Sequence, residues 1–178
     1  MQQVSLASVI TPFSKAIGWC LLFAIILPIG GAVFLKLSVS AACTLVATAF
    51  LIEYGSIPIG IALGLPPLYV TVAATCIEAG IFLVLYGILD TVGTASVHVA
   101  KFLDWTHHLV KQSRIFDRYG IFGLCPVEII IGVYLCSPAT WLLGWDKWKA
   151  FAITMTGYLI AAVITTFGTV GFIHYFIR

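Results

Sequence analysis

Charged residues are scarce in this sequence. Nine Lys and Arg and seven Asp and Glu make up 9% of its 178 residues, whereas 61% are hydrophobic. A water-soluble domain of this size needs more polar surface to cover its core, so the composition predicts a membrane protein. The net charge of +2 is small and no dense basic cluster is present, so no nucleic-acid partner is predicted.

Familiar catalytic motifs are also missing. The chain has no phosphate-binding glycine loop before a lysine, no serine elbow and no histidine–glutamate zinc helix. None of the five cysteines forms a C-x-x-C pair, and the adjacent His107 and His108 would point about 100° apart on a helix. We therefore predict no catalytic residue, no cofactor and no metal. An intramembrane enzyme remains only as an alternative.

Long apolar runs occupy most of the chain. They cover roughly residues 17–35, 38–52 with an extension to 65, 68–89, 119–144 and 150–176. About 20 residues cross a bilayer core of about 30 Å, a length that the first, third and fifth runs reach without interruption. The second and fourth reach it only by including glycines, prolines and a glutamate. The predicted fold is an all-α polytopic membrane protein, a helical bundle within one transmembrane domain.

The one sizeable polar segment extends from Thr94 to Arg118. Wound as a helix, it separates apolar from charged side chains and holds four of the nine Lys and Arg residues. The positive-inside rule places this amphipathic helix in the cytoplasm. It would connect a first half, about 17–90, to a second half, about 119–176.

Helix-breaking residues cluster between Glu53 and Pro67. In hydrocarbon, non-helical backbone survives only when it is buried in protein or lines a wet cavity. The segment is therefore predicted to be a broken or re-entrant helix lining a polar cavity, with a kinked helix as the alternative. The predicted lining residues are Gly55, Pro58, Gly60 and Gly64.

A second cluster of helix breakers lies in the other half. Its predicted lining residues are Pro126, Gly132 and Pro138, and it also contains Glu128. A broken apolar segment in each half is typical of inverted-repeat transporters, whose site lies where the breaks meet. Glutamate and proline are five residues apart in the first cluster and ten apart in the second, so the spacing does not establish the repeat.

Three carboxylates in these apolar runs are the candidate site residues. An ionised side chain in mid-membrane costs about 2.5–3.5 kcal/mol on insertion scales, so it is normally paired, protonated or functional. Glu53 is the first candidate for substrate or proton coupling, and Glu128 and Glu78 follow. The alternatives are a charge that satisfies free helix amides for Glu53, and a hydrogen bond to Thr75 or Tyr86 for Glu78.

The same residues carry a family resemblance. The run from Glu53 to Leu65, EYGSIPIGIALGL, is similar to the E-x-x-G/S-x-I-P-x-G-I-x-L-G stretch of the small multidrug export proteins, which are related to the DedA/VTT membrane proteins. The run from Asp117 to Leu124, DRYGIFGL, resembles that family's K/R-Y-G-x-x-G-L entry to a second broken segment. The family's P-x-P-G-T-G motif is replaced here by Pro126-Val-Glu128 and Ser137-Pro138.

The resemblance implies a small transporter or lipid flippase of DedA-like type, with proton coupling, in the cell membrane. Its expected partners are membrane lipids and a small-molecule or lipid substrate, and a homo-oligomer remains open. Two alternatives stay beside it, an assembly subunit of a membrane complex and an intramembrane enzyme acting on a lipid.

Overall fold

The regular structure is helical throughout the described part of the chain. The computed structural model describes residues 6–95 and 120–176, so the predicted amphipathic helix lies outside the described residues except at its start. The helices are α1 (Leu6–Cys20), a π-helical segment (Leu21–Ile26), α2 (Leu27–Phe34), α3 (Val39–Ile52), a 3₁₀ turn (Glu53–Gly55), α4 (Ser56–Ala62), α5 (Pro67–Ala95), a 3₁₀ turn (Gly120–Gly123), α6 (Leu124–Ile131), α7 (Val133–Leu142) and α8 (Lys147–Phe176).

By length and composition alone, four helical segments in this part could cross a membrane. They are Phe13–Phe34, Val39–Ala62, Pro67–Thr91 and Lys147–Tyr175, and a shorter apolar helix covers Gly120–Ile131. Large apolar side chains are exposed along their outer faces, for example Phe34 and Phe167. Such surfaces suit contact with lipid, because contiguous apolar patches of large extent are rare on soluble monomers.

Small residues bring the first apolar segment, Phe13–Phe34, against α5 in antiparallel orientation. This segment is called the first helix below. A Cβ built on Gly80 would lie 3.0 Å from the Cβ of Ala24, and one on Gly87 would overlap Ala16. At the other end, the Tyr69 hydroxyl donates to the carbonyl of Pro28 at 2.6 Å. Later residues of α5 thus face earlier residues of the first helix, as an antiparallel pair requires.

Helices α3 and α4 lie side by side as a hairpin, here called the first hairpin (residues 39–62). A Cβ on Gly60 would lie 3.0 Å from the Leu45 side chain, although Leu45 precedes the break at Glu53 by eight residues and Gly60 follows it by seven. A continuous helix would separate those two positions by about 22 Å. Leu37, before the hairpin, and Pro66, after it, line one cavity, so both ends of the hairpin lie close together.

Helices α6 and α7 form the second hairpin (residues 124–142). The Cys136 thiol lies 4.0 Å from the carbonyl oxygen of Leu124, across the break at Gly132. α7 packs on α5, where the Ser137 hydroxyl donates to the Phe82 carbonyl at 3.0 Å. The turn after α7 therefore lies towards the carboxyl end of α5, whereas the turn after α4 leads into its amino end.

Both hairpins end in the same turn. Leu65 N–H donates to the Gly60 carbonyl at 3.2 Å, and Trp145 N–H donates to the Thr140 carbonyl at 3.2 Å. In each case the preceding glycine has a left-handed φ, 84° at Gly64 and 63° at Gly144, as Schellman turns at helix ends require.

Candidate functional site

The two helix breaks touch each other. α3 ends at Ile52, and Glu53 adopts φ 42°, ψ −108° before the chain reverses. α6 ends at Ile131, and Gly132 adopts φ 87°, ψ 177° before α7 begins. A Cβ on Gly132 would overlap the Glu53 carboxylate, so the tips of the hairpins are in direct contact. Both breaks predicted from the sequence are therefore present, and they meet.

The Glu53 carboxylate faces the amino end of α7. Backbone N–H groups of Val133 and Tyr134 point at it, and its Oε1 atom is buried without a hydrogen-bond partner. The first amides of a helix lack intrahelical acceptors, and a carboxylate there contributes about 0.3–1 kcal/mol, or up to about 2 when partly buried. Glu53 thus occupies a helix amino end, as its structural alternative supposed, but the helix belongs to the other hairpin.

Two tyrosines connect the hairpins reciprocally. The Tyr54 hydroxyl lies 3.0 Å from the carbonyl oxygen of Glu128 and 3.3 Å from its Oε1 atom. The Tyr134 hydroxyl donates to the carbonyl of Phe50 at 2.5 Å. Each tyrosine therefore reaches the entry helix of the opposite hairpin shortly before its break.

Glu78 and Glu128 are fully buried at this contact. Both carboxylate oxygens of Glu78 and the Oε2 atom of Glu128 have no hydrogen-bond partner. The proposed bond between Thr75 and Glu78 is not formed, since the Thr75 hydroxyl donates to the Thr71 carbonyl at 2.8 Å. A structural hydrogen bond therefore does not account for Glu78.

Glu78 lies near the centre of the apolar span of α5. Glu78 is eleven residues from Pro67 and thirteen from Thr91, the ends of its apolar span. At about 1.5 Å per residue this is about 16–20 Å from either end, close to half of a hydrocarbon core of about 30 Å. Glu78 also lies within electrostatic range of Glu53 and Glu128, so the three form one cluster.

The described residues offer no basic partner to this cluster. Their four lysines lie in α1, in the turn after α2 and in the first turn of α8. Nor do these residues contain a group of three His, Cys, Asp or Glu side chains close enough to hold a metal ion. Tyr158 of α8 stacks on Tyr54 at 4.9 Å between ring centroids and has a buried, unpaired hydroxyl.

The predicted lining residues have local roles around this contact. Gly60 accommodates the Leu45 and Val70 side chains, Gly55 faces Ile52, and Gly64 lies in an open turn rather than at a helix contact. Pro58 lies in the first turn of α4, Pro126 in that of α6 and Pro138 within α7. Two apolar cavities, of 590 and 320 Å³, lie elsewhere along α5 and are lined by none of the predicted residues.

Three tyrosines at this contact, Tyr54, Tyr134 and Tyr158, were not predicted from the sequence. A signal for Tyr54 and Tyr134 was present, because Y-x₃-P-x₅-G occurs once in each half, as Tyr54, Pro58 and Gly64 and again 80 residues later. Comparing the spacing of glutamate and proline concealed this repeat, since Glu128 lies within α6 and not at the break.

The helices and the buried carboxyl cluster define a multi-pass membrane protein with a polar centre. A family model described as "Putative small multi-drug export protein" matches residues 53–164, well over half of the chain, and this chain belongs to that family. The match begins at Glu53, so it includes the break and α4 of the first hairpin and the whole of the second hairpin. No significant match was found among curated proteins or among solved structures.

Proposed function

We propose that this chain is a proton-coupled transporter of the cell membrane, in which two re-entrant hairpins of an inverted repeat hold the protonation site. The observation that carries the proposal is the cluster of Glu53, Glu78 and Glu128. Four of its six carboxylate oxygens are buried without a hydrogen-bond partner, and no described cation lies beside them.

Re-entrance is supported by the course of the chain. The first helix and α5 are antiparallel neighbours, so the end of one and the start of the other lie on the same side of the bundle. The first hairpin connects those two ends through α3 and α4, which pack on each other. It therefore enters and leaves on one side, and its tip at Glu53 stops inside the bundle.

The inverted repeat is supported by the second hairpin. It has the same order of entry helix, break, short helix, Schellman turn and long helix as the first. Its turn lies near the opposite end of α5. There the Nζ atom of Lys147, the first residue of α8, lies 5.1 Å from the centroid of the Tyr86 ring. The hairpins thus enter from opposite sides and meet at their tips, the arrangement in which transporters place their site.

A proton is a fitting ligand for this site, because the site is acidic and is closed to larger ligands. Burying three ionised carboxylates without counter-charges is costly, and a neutral carboxyl group costs much less. Glu78 and Glu128 have no exposed surface, so the closed contact excludes a large ligand in this conformation. Binding and release of protons would then accompany opening of the hairpins towards an amphiphilic substrate, either a small molecule or, as in a DedA-like flippase, a lipid.

Reconstitution tests this proposal. The purified protein would be placed in liposomes containing a pH-sensitive dye, and ethidium or a fluorescent phospholipid would be added under an imposed pH gradient. We expect coupled proton and probe movement in the natural protein, reduced at least about tenfold in Glu53→Gln and Glu78→Gln. Asp146→Asn makes the same chemical change at an exposed carboxylate that caps α8, so it should transport normally.

The alternatives give different results. An assembly subunit would move neither probe when reconstituted alone, and an intramembrane enzyme would alter the phospholipid chemically without coupled proton flux. Either result, with well-folded protein, would refute the transporter proposal.

A further inference from the structure

We propose that Glu53 is a proton-operated latch between the hairpins: its ionised carboxylate holds the amino end of α7, and protonation releases the two tips. This inference rests on the proposed function. It assigns to one carboxyl group the step that connects protonation to movement.

The backbone fixes the direction of the latch. Glu53 N–H still donates to the Ala49 carbonyl as α3 ends, and the Glu53 carbonyl accepts the Ser56 hydroxyl at 2.7 Å. Ser56 is completely buried, and the positive φ of Glu53 is uncommon for a residue with a side chain. The side chain is therefore held at the hairpin tip and directed across the contact.

The receiving helix has no cap of its own. α3 is capped by the Ser38 hydroxyl, and Asp146, the residue before α8, accepts Lys149 N–H through its carboxylate. α7 instead begins after Gly132, which has no side chain, and its first turn contains no acidic residue. Glu53 of the other hairpin supplies the missing acceptor and negative charge.

Gly132 makes this approach possible. Its φ of 87° and ψ of 177° belong to a region that is essentially restricted to glycine. Any Cβ there would also overlap the Glu53 carboxylate. Conformation and space therefore both require glycine where the latch closes.

The contact depends on the charge of Glu53. The amides at a helix amino end only donate, so protonation removes the charge–dipole attraction and leaves the carboxyl group with one good acceptor oxygen instead of two. An attraction of about 1–2 kcal/mol corresponds to about a fivefold to thirtyfold change in the ratio of closed to open tips. The titratable groups facing Glu53 are all acidic or neutral, namely Tyr54, Glu78, Glu128, Tyr134, Cys136 and Tyr158.

Spin-label distances across the tips test the latch. Leu51 and Ile130 are 79% and 80% exposed and precede the two breaks by two residues, so cysteine-attached labels fit there. Both would be introduced into the full chain, with its five native cysteines replaced by alanine or serine. Pulsed electron–electron double resonance would then measure the distance distribution between the two labels from high to low pH in liposomes.

We expect a short distance at high pH and at least a fivefold shift towards a longer one at low pH. Glu53→Gln should show the longer distance at every pH, whereas Asp146→Asn should respond as the parent does. Glu53→Asp keeps the charge and should keep a pH response. If Glu53→Gln does not fold, Gly132→Ala provides the second test, because its methyl group should separate the tips at every pH.

Two results would overturn the latch. One is a distance that does not depend on pH in the parent protein. The other is a pH response that persists in Glu53→Gln but disappears in Glu78→Gln or Glu128→Gln, which would assign the switch to another carboxyl. Transport is measured separately: pH-insensitive tips with intact proton-coupled flux refute only the latch, and pH-sensitive tips without flux refute only the proposed function.

Discussion

The two hairpins share their scaffold residues but not their carboxylates. Tyrosine, proline and glycine recur at an interval of 80 residues in the order Tyr54, Pro58, Gly64, and the turns form the same hydrogen bonds. At the same interval, Glu53 corresponds to Val133 and Glu128 to Thr48. The repeated residues shape and join the hairpins, whereas the unrepeated ones carry charge, so function here is more asymmetric than the fold.

The contact between the tips shows what this asymmetry does. The first hairpin contributes an acidic side chain at its break, and the second contributes bare backbone at Gly132 and the amides that follow. Two glutamates facing each other would repel, and two glycines would leave α7 without a cap. One carboxylate against one uncapped helix gives attraction that a proton can remove.

The largest effect on stability is expected at Gly132. Gly132→Ala places a Cβ in a glycine-only backbone region and against the Glu53 carboxylate, so we expect a loss of about 2–4 kcal/mol in unfolding free energy. Gly64→Ala and Gly144→Ala add a Cβ in open space at left-handed φ and should each lose about 1–2 kcal/mol.

Unfolding by sodium dodecyl sulfate in mixed micelles measures these differences. Gly168, a helical glycine with open space around it, serves as the control, and Gly168→Ala should be neutral or slightly stabilising. Equal losses at Gly132 and Gly144 would show that the tips are not in tight contact.

The sequence was sufficient for the apolar helices of the described residues and for both breaks. Apolar length predicts the spans, and glycine and proline predict where the helices are interrupted, because these effects are local. Which residues meet across the tips depends on how the two hairpins pack on α5. That packing joins residues that are far apart in the sequence. Glu128 seemed equivalent to Glu53 for that reason, although it lies within α6 and its partner is Tyr54.

Smaller but unequal effects are expected from the two tyrosines. Tyr54→Phe removes a hydroxyl donor to the buried Glu128 carboxylate and should cost about 1–3 kcal/mol. Tyr134→Phe removes a bond to the Phe50 carbonyl at an exposed position and should cost about 0.5–1.5 kcal/mol.

Thermal unfolding in detergent compares the two tyrosine variants directly. Tyr175→Phe, near the end of α8 and largely exposed, is a matched change away from the tips. A larger loss for Tyr134→Phe than for Tyr54→Phe would contradict the greater burial of the Tyr54–Glu128 bond compared with the Tyr134–Phe50 bond.

The smallest changes in stability are expected at the repeated prolines, and the changes at the two prolines should be of opposite sign. Pro58 is the third residue of α4, where the amide has no intrahelical acceptor, so proline fits there and mainly restricts the unfolded chain. Pro58→Ala should therefore lower the unfolding free energy by about 0.4–1 kcal/mol.

Pro138 is the sixth residue of α7, so its missing N–H deprives the Tyr134 carbonyl of a helical donor. Pro138→Ala restores that bond and should raise stability by about 0.5–1.5 kcal/mol. The same detergent titration measures both variants, and changes of the same sign would mean that the prolines have the same structural role in the two hairpins.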